Sequence, residues 1–222
     1  MSSQFIRTAC GFLLIVPVLF LSACGGNARL KQSDYAALHS VSVLKQSDIP
    51  DVDHTVLLTF SQIMAGSLGG VVGAAISVEA ASNPRLALHD KMVKEKIDPG
   101  LMVSTEFERQ LHESGLFPVI REPADAQFRF SIVTAGLMVP GSFATRLDPE
   151  IRVEATLVRR DGKEIWYDSA TVRGDDPDLA YEGHPLDEYF SQPNLLRYSF
   201  QAAAHVAVSQ LIEDLRDDLH RN

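Results

Sequence analysis

Apolar and polar residues alternate along several stretches of this chain with the two-residue period of a half-buried strand. Phe128, Phe130 and Ile132 alternate with Gln127, Arg129 and Ser131. Val41 and Val43 begin a shorter run, Thr55 to Phe60 a second with Pro50 in the connection, and Leu116 to Ile120 a third. The clearest signal is a hairpin, in which Ile151 to Val158 and Glu164 to Val172 flank Asp161-Gly162. A two-residue turn there pairs Leu157 with Trp166, Val153 with Ala170 and Ile151 with Val172 on one face. Arg152 with Thr171 and Glu154 with Ser169 then fall on the other, so one register sorts most apolar from polar side chains.

Elsewhere the period lengthens to that of a helix. Asp98 reads as an N-cap before Pro99, Val103, Phe107 and Leu111 form a stripe, and Gly115 supplies a left-handed stop, which predicts a helix from about Pro99 to Ser114. From Leu195 to Leu219, Phe200, Ala204, Ala207, Leu211, Leu215 and Leu219 make a second stripe. Glu213, Asp214, Arg216, Asp217 and Asp218 are placed on its outer face. Between Asn83-Pro84 and Asp98 the chain is polar, and Asp175 to Asn194 reads as a long loop. The element order predicts an α+β fold, an antiparallel sheet packed against an internal helix and a C-terminal helix.

The first residues belong to a different pattern. Arg7, an apolar run from Phe12 to Phe20 and the small residues after it make a secretory signal peptide, too short to span a bilayer. Its end, Leu21-Ser22-Ala23-Cys24, resembles a bacterial lipobox, in which cleavage precedes a cysteine already diacylated on sulfur. The resemblance implies a covalent diacylglycerol and an N-acyl lipid on Cys24, and no other cofactor. Each buried methylene adds about 0.8 kcal/mol, so two or three chains hold a protein on a membrane. An Asp after the cysteine marks inner-membrane retention in Gram-negative bacteria. Gly25-Gly26 lacks it, which implies the periplasmic face of the outer membrane. The expected organisation is residues 1–23 as signal peptide, 24–39 as lipidated tether, and 40–222 as one domain with an apolar, Gly-rich insertion at about 55–81.

That insertion is the second unusual feature, since residues 55–78 hold no charge. Gly66/Gly70 and Gly69/Gly73 are each four apart, which on a helix gives a flat stripe that another helix can approach closely. The stretch is long enough to span a bilayer, although its Gly, Ser, Thr and Gln residues make it borderline. A helix buried on its own sheet, a self-association contact and a membrane segment are the three readings.

Charge and cysteine use narrow the partners. The chain carries 20 basic and 29 acidic residues, a net of −9, which gives no footprint for nucleic acid or anionic lipid. Cys10 leaves with the signal and Cys24 becomes a thioether, so of the two cysteines none remains for a disulfide, metal or nucleophile.

Candidate chemistry is thin. Ala65-Gly66-Ser67-Leu68-Gly69 is an Ala-first variant of the nucleophile elbow, with Asp187 and His205 or His184 as downstream partners for Ser67. The hairpins that follow do not suit a hydrolase, which repeats βαβ units. Asp51-Val52-Asp53-His54 has metal-ligand residue types, but no second cluster accompanies it and a solvated turn is the simpler reading. His39, His89, His112, His184, His205 and His220 are scattered singly. Asp175-Asp176 and Asp217-Asp218 read as solvated surface. Trp166 beside Tyr167 has the makings of a ligand platform, yet it lies on the apolar face and reads as core. No catalytic and no metal site is predicted.

Leu111-His112-Glu113-Ser114-Gly115-Leu116-Phe117-Pro118-Val119, then Ala124-Asp125-Ala126-Gln127-Phe128-Arg129-Phe130-Ser131-Ile132, resembles a helix and two strands of a group of envelope lipoproteins and periplasmic domains. The group includes the ABC-transporter auxiliary lipoproteins, the amino-terminal domain of TolB and the curli secretion lipoprotein. The membrane hairpins of a curli-type pore are not evident here. The resemblance implies a non-enzymatic binding or assembly accessory of an envelope complex, partnered by envelope proteins or by itself. The alternative is an auxiliary of an ABC-type lipid or substrate transport system, with the charge-free segment touching membrane or cargo.

Overall fold

The computed structural model describes residues 29–45, 53–57 as backbone, 83–121, 123–140 and 146–221. The signal peptide, Leu21 to Cys24, Asp51 and the segment with Gly66, Ser67, Gly69, Gly70 and Gly73 lie outside the described residues.

Among the described residues five strands form one sheet: β1 (Val41–Val43), β2 (Asp53–Leu57), β3 (Ala126–Met138), β4 (Asp148–Arg159) and β5 (Glu164–Val172). β3, β4 and β5 are antiparallel neighbours. β1 and β2 share one edge of β3 and run parallel to it, β1 against Ala126–Phe128 and β2 against Thr134–Met138. The α+β architecture is as expected, and its sheet is antiparallel in the middle and parallel along that edge.

Phe128, Phe130 and Ile132 face the core, and a bulge at Val133 then keeps the phase, so that Ala135 and Leu137 point the same way. Without that extra residue the end of β3 would turn its apolar set to solvent. The hairpin register is the one the pattern predicts from Ile151/Val172 to Leu157/Trp166. Its loop differs. The Gly162 N–H donates to the Arg159 carbonyl and the Arg159 N–H to the Lys163 carbonyl, both at 2.8 Å. The loop is therefore Arg160-Asp161-Gly162, with Gly162 at φ +86, and a bulge at Ile165 restores the register. A three-residue loop with glycine in the left-handed region suits the twist of the strands better than a two-residue turn without a glycine at both centres.

Helices cover one face. α1 (Gln32–Ala36), α2 (Pro84–Glu95), α3 (Pro99–Ser114), α4 (Leu186–Ser191) and α5 (Pro193–Arg221) follow in chain order. α3 has the predicted caps: the Leu101 N–H donates to Asp98 Oδ1 at 3.0 Å, and Gly115 ends the helix at φ +64. Its Phe107 packs on Phe128 and Phe130 with ring centroids 4.8 and 4.9 Å apart. On α5 the stripe from Phe200 to Leu215 is buried and Leu219 half-buried, while Trp166 is fully buried beneath the helices.

Four expectations need correction. The stretch assigned to the tether is packed from Leu30, which is fully buried, and α1 is held by the Tyr35 hydroxyl on the Leu116 carbonyl and by Asp34 beside Arg159. Leu116 to Ile120 contributes one bridge, Val41 to Val119, because Pro118 has no N–H to continue a ladder. Asp175 to Asn194 contains α4 and a two-way bridge between Leu147 and His184. Asp218 is buried and not on the outer face, since it stands seven residues after Leu211 on the inward stripe. α2, which the polar composition hid, is capped by Asn83 Oδ1 on the Leu86 N–H and buries only Leu88 and Met92.

Candidate functional site

α3 and α5 lie side by side in the same direction, their cross-helix bonds stepping from Glu106–His205 to Gln110–Ser209. A groove of about 350 Å³ runs between them and is closed at one end by the last residue of the α2 turn, Lys96. Leu101, Met102 and Ala204 supply its apolar lining, and Lys96, Glu106, Arg197 and His205 its charge or polarity.

Glu106 is the best-served carboxylate on this surface. Arg109 donates to it through Nε at 2.9 Å, Gln110 Nε2 at 2.8 Å, and His205 Nδ1 lies 2.6 Å away. The Arg109 hydrogen bonds, outweighing burial, hold its carboxyl down to about 2. Glu106 and Glu113 in turn push the Arg109 guanidinium up. A carboxylate so fully donated to is a fixed anion and a poor proton acceptor. Ser209 Oγ donates to the His205 carbonyl at 2.9 Å or to Gln110 Oε1 at 3.2 Å. Its proton is thus engaged away from the imidazole. The arrangement positions charge beside an apolar floor.

The closed end carries local strain. Lys96 sits at φ +53, the sole non-glycine residue with positive φ among the described residues. It takes the place that glycine usually fills after a helix: its N–H and that of Ile97 return to Met92, and Ile97 is buried. Arg197 donates to the Glu95 and Lys96 carbonyls, the latter at 3.2 Å, and so ties α5 to the end of α2. Leu86, Val93, Leu101, Ile120 and Tyr198 are the exposed large apolar residues among those described. Leu86 and Val93 lie at the two ends of α2, Leu101 in the first turn of α3 and Tyr198 in the second turn of α5, and Arg197 joins the end of α2 to α5 at this corner.

The residues singled out in the sequence are dispersed. His205 bonds Glu106 and His184 Nδ1 lies 2.9 Å from Glu188, so neither is oriented by Asp187. Asp53 and His54 open β2. No group of three or more His, Cys, Asp or Glu suited to a metal occurs among the described residues. Asp176 accepts from Gln210 at 3.0 Å and Asp217 from Arg221 at 2.8 Å. The groove itself was missed. Its one sequence signal is the spacing of Glu106, Arg109, Gln110 and Glu113, whose separations of three and four residues build a linked polar stripe beside the apolar one.

No helix among the described residues is long and apolar enough to cross a membrane. No family model matches the chain and no curated protein does. A solved structure similar to it is protein XCC0632 from Xanthomonas campestris, described by the family model DUF330, at 16% identity and a TM-score of 0.37. The match covers 51% of this chain and 58% of that one, under two thirds of its length, and a likeness of this degree carries no argument about function.

Proposed function

We propose that this protein is an outer-membrane lipoprotein facing the periplasm, anchored through acyl lipids on Cys24, and that its domain is a non-enzymatic binding or assembly accessory of a cell-envelope complex. The observation that carries the reading is the tetrad Leu21-Ser22-Ala23-Cys24 at the end of an apolar run that begins after Arg7. Packing at Leu30 supports it by leaving a short leash, since six residues reach at most about 20 Å. The domain is then held close to its membrane.

The placement of the three-helix corner fits a partner-facing role. α1, next to the anchor in sequence, packs where α3 ends, with Tyr35 on Leu116. The corner lies at the other end of α3, 16 residues or about 24 Å along its axis. α1 and the corner therefore sit at opposite ends of α3.

Native mass spectrometry of the lipidated protein, purified gently from its own cells, tests the proposal. A stable protein partner or a defined homo-oligomer, weakened by Leu101→Ser with Val93→Ser, supports it. A monomer carrying bound lipid overturns it in favour of the transport-auxiliary reading.

A further inference from the structure

Beside the corner, the segment from Arg173 to Pro185 crosses the start of β4 and leads into α4. It lies on one carboxyl. Asp148 is 7% exposed, and both Gly174 and Gly183 press against it so closely that a Cβ on either would overlap its side chain. At Gly183 that Cβ would also stand 2.7 Å from the Leu147 carbonyl oxygen. Glycine is required at both positions by lack of room, whatever the backbone angles. Around this point the bonds converge. Leu147 and His184 exchange backbone hydrogen bonds of 2.8 and 3.2 Å, and the buried Tyr189 hydroxyl donates to the Leu147 carbonyl at 2.8 Å. Having used its proton there, Tyr189 accepts from the Tyr181 hydroxyl at 2.9 Å. Gln210 on α5 holds Asp176 at 3.0 Å.

We propose that Arg173 to Pro185 is a strap clasped onto β4 by Asp148, closed when that carboxyl carries a proton and loosened when it ionises. A carboxylate has room for about four donors, and the Gly183 N–H is the one that reaches Asp148 among the described residues. Of the charged groups around it, Arg146 attracts the ionised form, and Arg146 is itself held by Glu182 on the strap. Asp175 repels it. Tyr181 and Tyr189 face it with hydroxyls kept neutral by burial, Glu188 is engaged by His184, and Glu150 by Arg173 at 3.6 Å. The balance falls on the side of the neutral acid: burial, the largest influence, raises the Asp148 carboxyl above its ordinary range. A carboxyl raised in the folded state binds its proton more tightly than in the open one. Closure is thus favoured as pH falls and is lost as pH rises through the folded value.

The strap also touches the corner. The Tyr181 ring packs tilted against that of Tyr198, centroids 6.0 Å apart, and Arg197, the preceding residue of α5, is the clamp on α2. Release of the strap would free the second turn of α5, so the same carboxyl regulates the proposed docking corner; that link rests on the function proposed above, the clasp itself does not.

Hydrogen exchange of the purified full chain, corrected for the intrinsic pH dependence of exchange, reads the clasp without any partner. Strap amides of the native protein should open more at pH 8 than at the lowest pH at which the sheet stays protected, by on the order of threefold, because the folded carboxyl is raised above its ordinary range. In Asp148→Asn, which keeps the shape and an acceptor for Gly183, they should stay protected at both. Gly183→Ala should open the strap at every pH while β3 to β5 remain protected, which reports that the sheet still folds. Equal pH response in native protein and Asp148→Asn, or an unchanged strap in Gly183→Ala, would overturn the clasp. Exchange at the second turn of α5 that fails to follow the strap would overturn the link to the corner alone.

Discussion

Glu106 in the helix groove and Asp148 under the strap are both acids shielded from water, and their surroundings pull them in opposite directions. Glu106 accepts from Arg109, Gln110 and His205 and is held near the bottom of the carboxylate range at about 2. Asp148 has one backbone donor and a nearby acid, and burial raises it. The contrast teaches that donors, counted one by one, decide whether a shielded carboxyl is a fixed charge or a titrating one. The groove is accordingly a stable electrostatic surface and the strap a conditional one.

The largest effect is expected from the core beneath the groove. Phe107, next to Glu106 on α3, fills the space against Phe128 and Phe130, and Phe107→Ala should cost about 3–5 kcal/mol in urea unfolding. A loss under about 1 kcal/mol would mean that the core closes without it. Next in size is the strained residue at the end of the groove. Lys96→Gly removes a side chain from the left-handed region and should stabilise by about 0.5–1 kcal/mol, net of the entropy glycine adds to the unfolded chain. If the variant is less stable, Lys96 earns its place through a contact that outweighs its backbone.

The two acids can then be set against each other directly. Asp148→Asn should raise the melting temperature at pH 8 by about 2 °C and by less at pH 4, where the raised native carboxyl carries more of its proton. A rise of the same size at both pH values would assign the effect to shape and not to charge. Glu106 has the opposite sign. Its stabilisation is complete above its unfolded value of 4.5 and is lost as pH falls toward about 2. Glu106→Gln should therefore flatten acid unfolding between those limits, by a small amount because the groove is partly open to water. An unchanged acid limb would show that other carboxylates govern it.

The contrast between regions extends to what the sequence announces. The register of β4 and β5 and both caps of α3 follow from local rules: alternation admits one pairing, and Asp98-Pro99 with Gly115 leaves little choice of ends. α2 escaped because just Leu88 and Met92 face inward while Leu86 and Val93 face solvent, so its stripe is one pair deep. The bulge at Val133 corrects a phase that becomes visible only once β2 is known to pair there. Asp148 looked like any acid at a strand start. Its burial depends on Gly174 and Gly183 arriving from 26 and 35 residues away, and no local pattern reports that. His205 meets Glu106 across 99 residues for the same reason. Residues that act within one element were legible, and residues whose role is a meeting between elements were not.

The anchor is the claim on which the placement of both regions depends. Intact mass spectrometry of the protein extracted from its own membranes tests it most directly. The account predicts a chain beginning at Cys24 with the mass of a diacylglycerol and an amide-linked acyl chain, and a soluble form from Cys24→Ala. A chain that begins elsewhere or carries an unmodified Cys24 would contradict it.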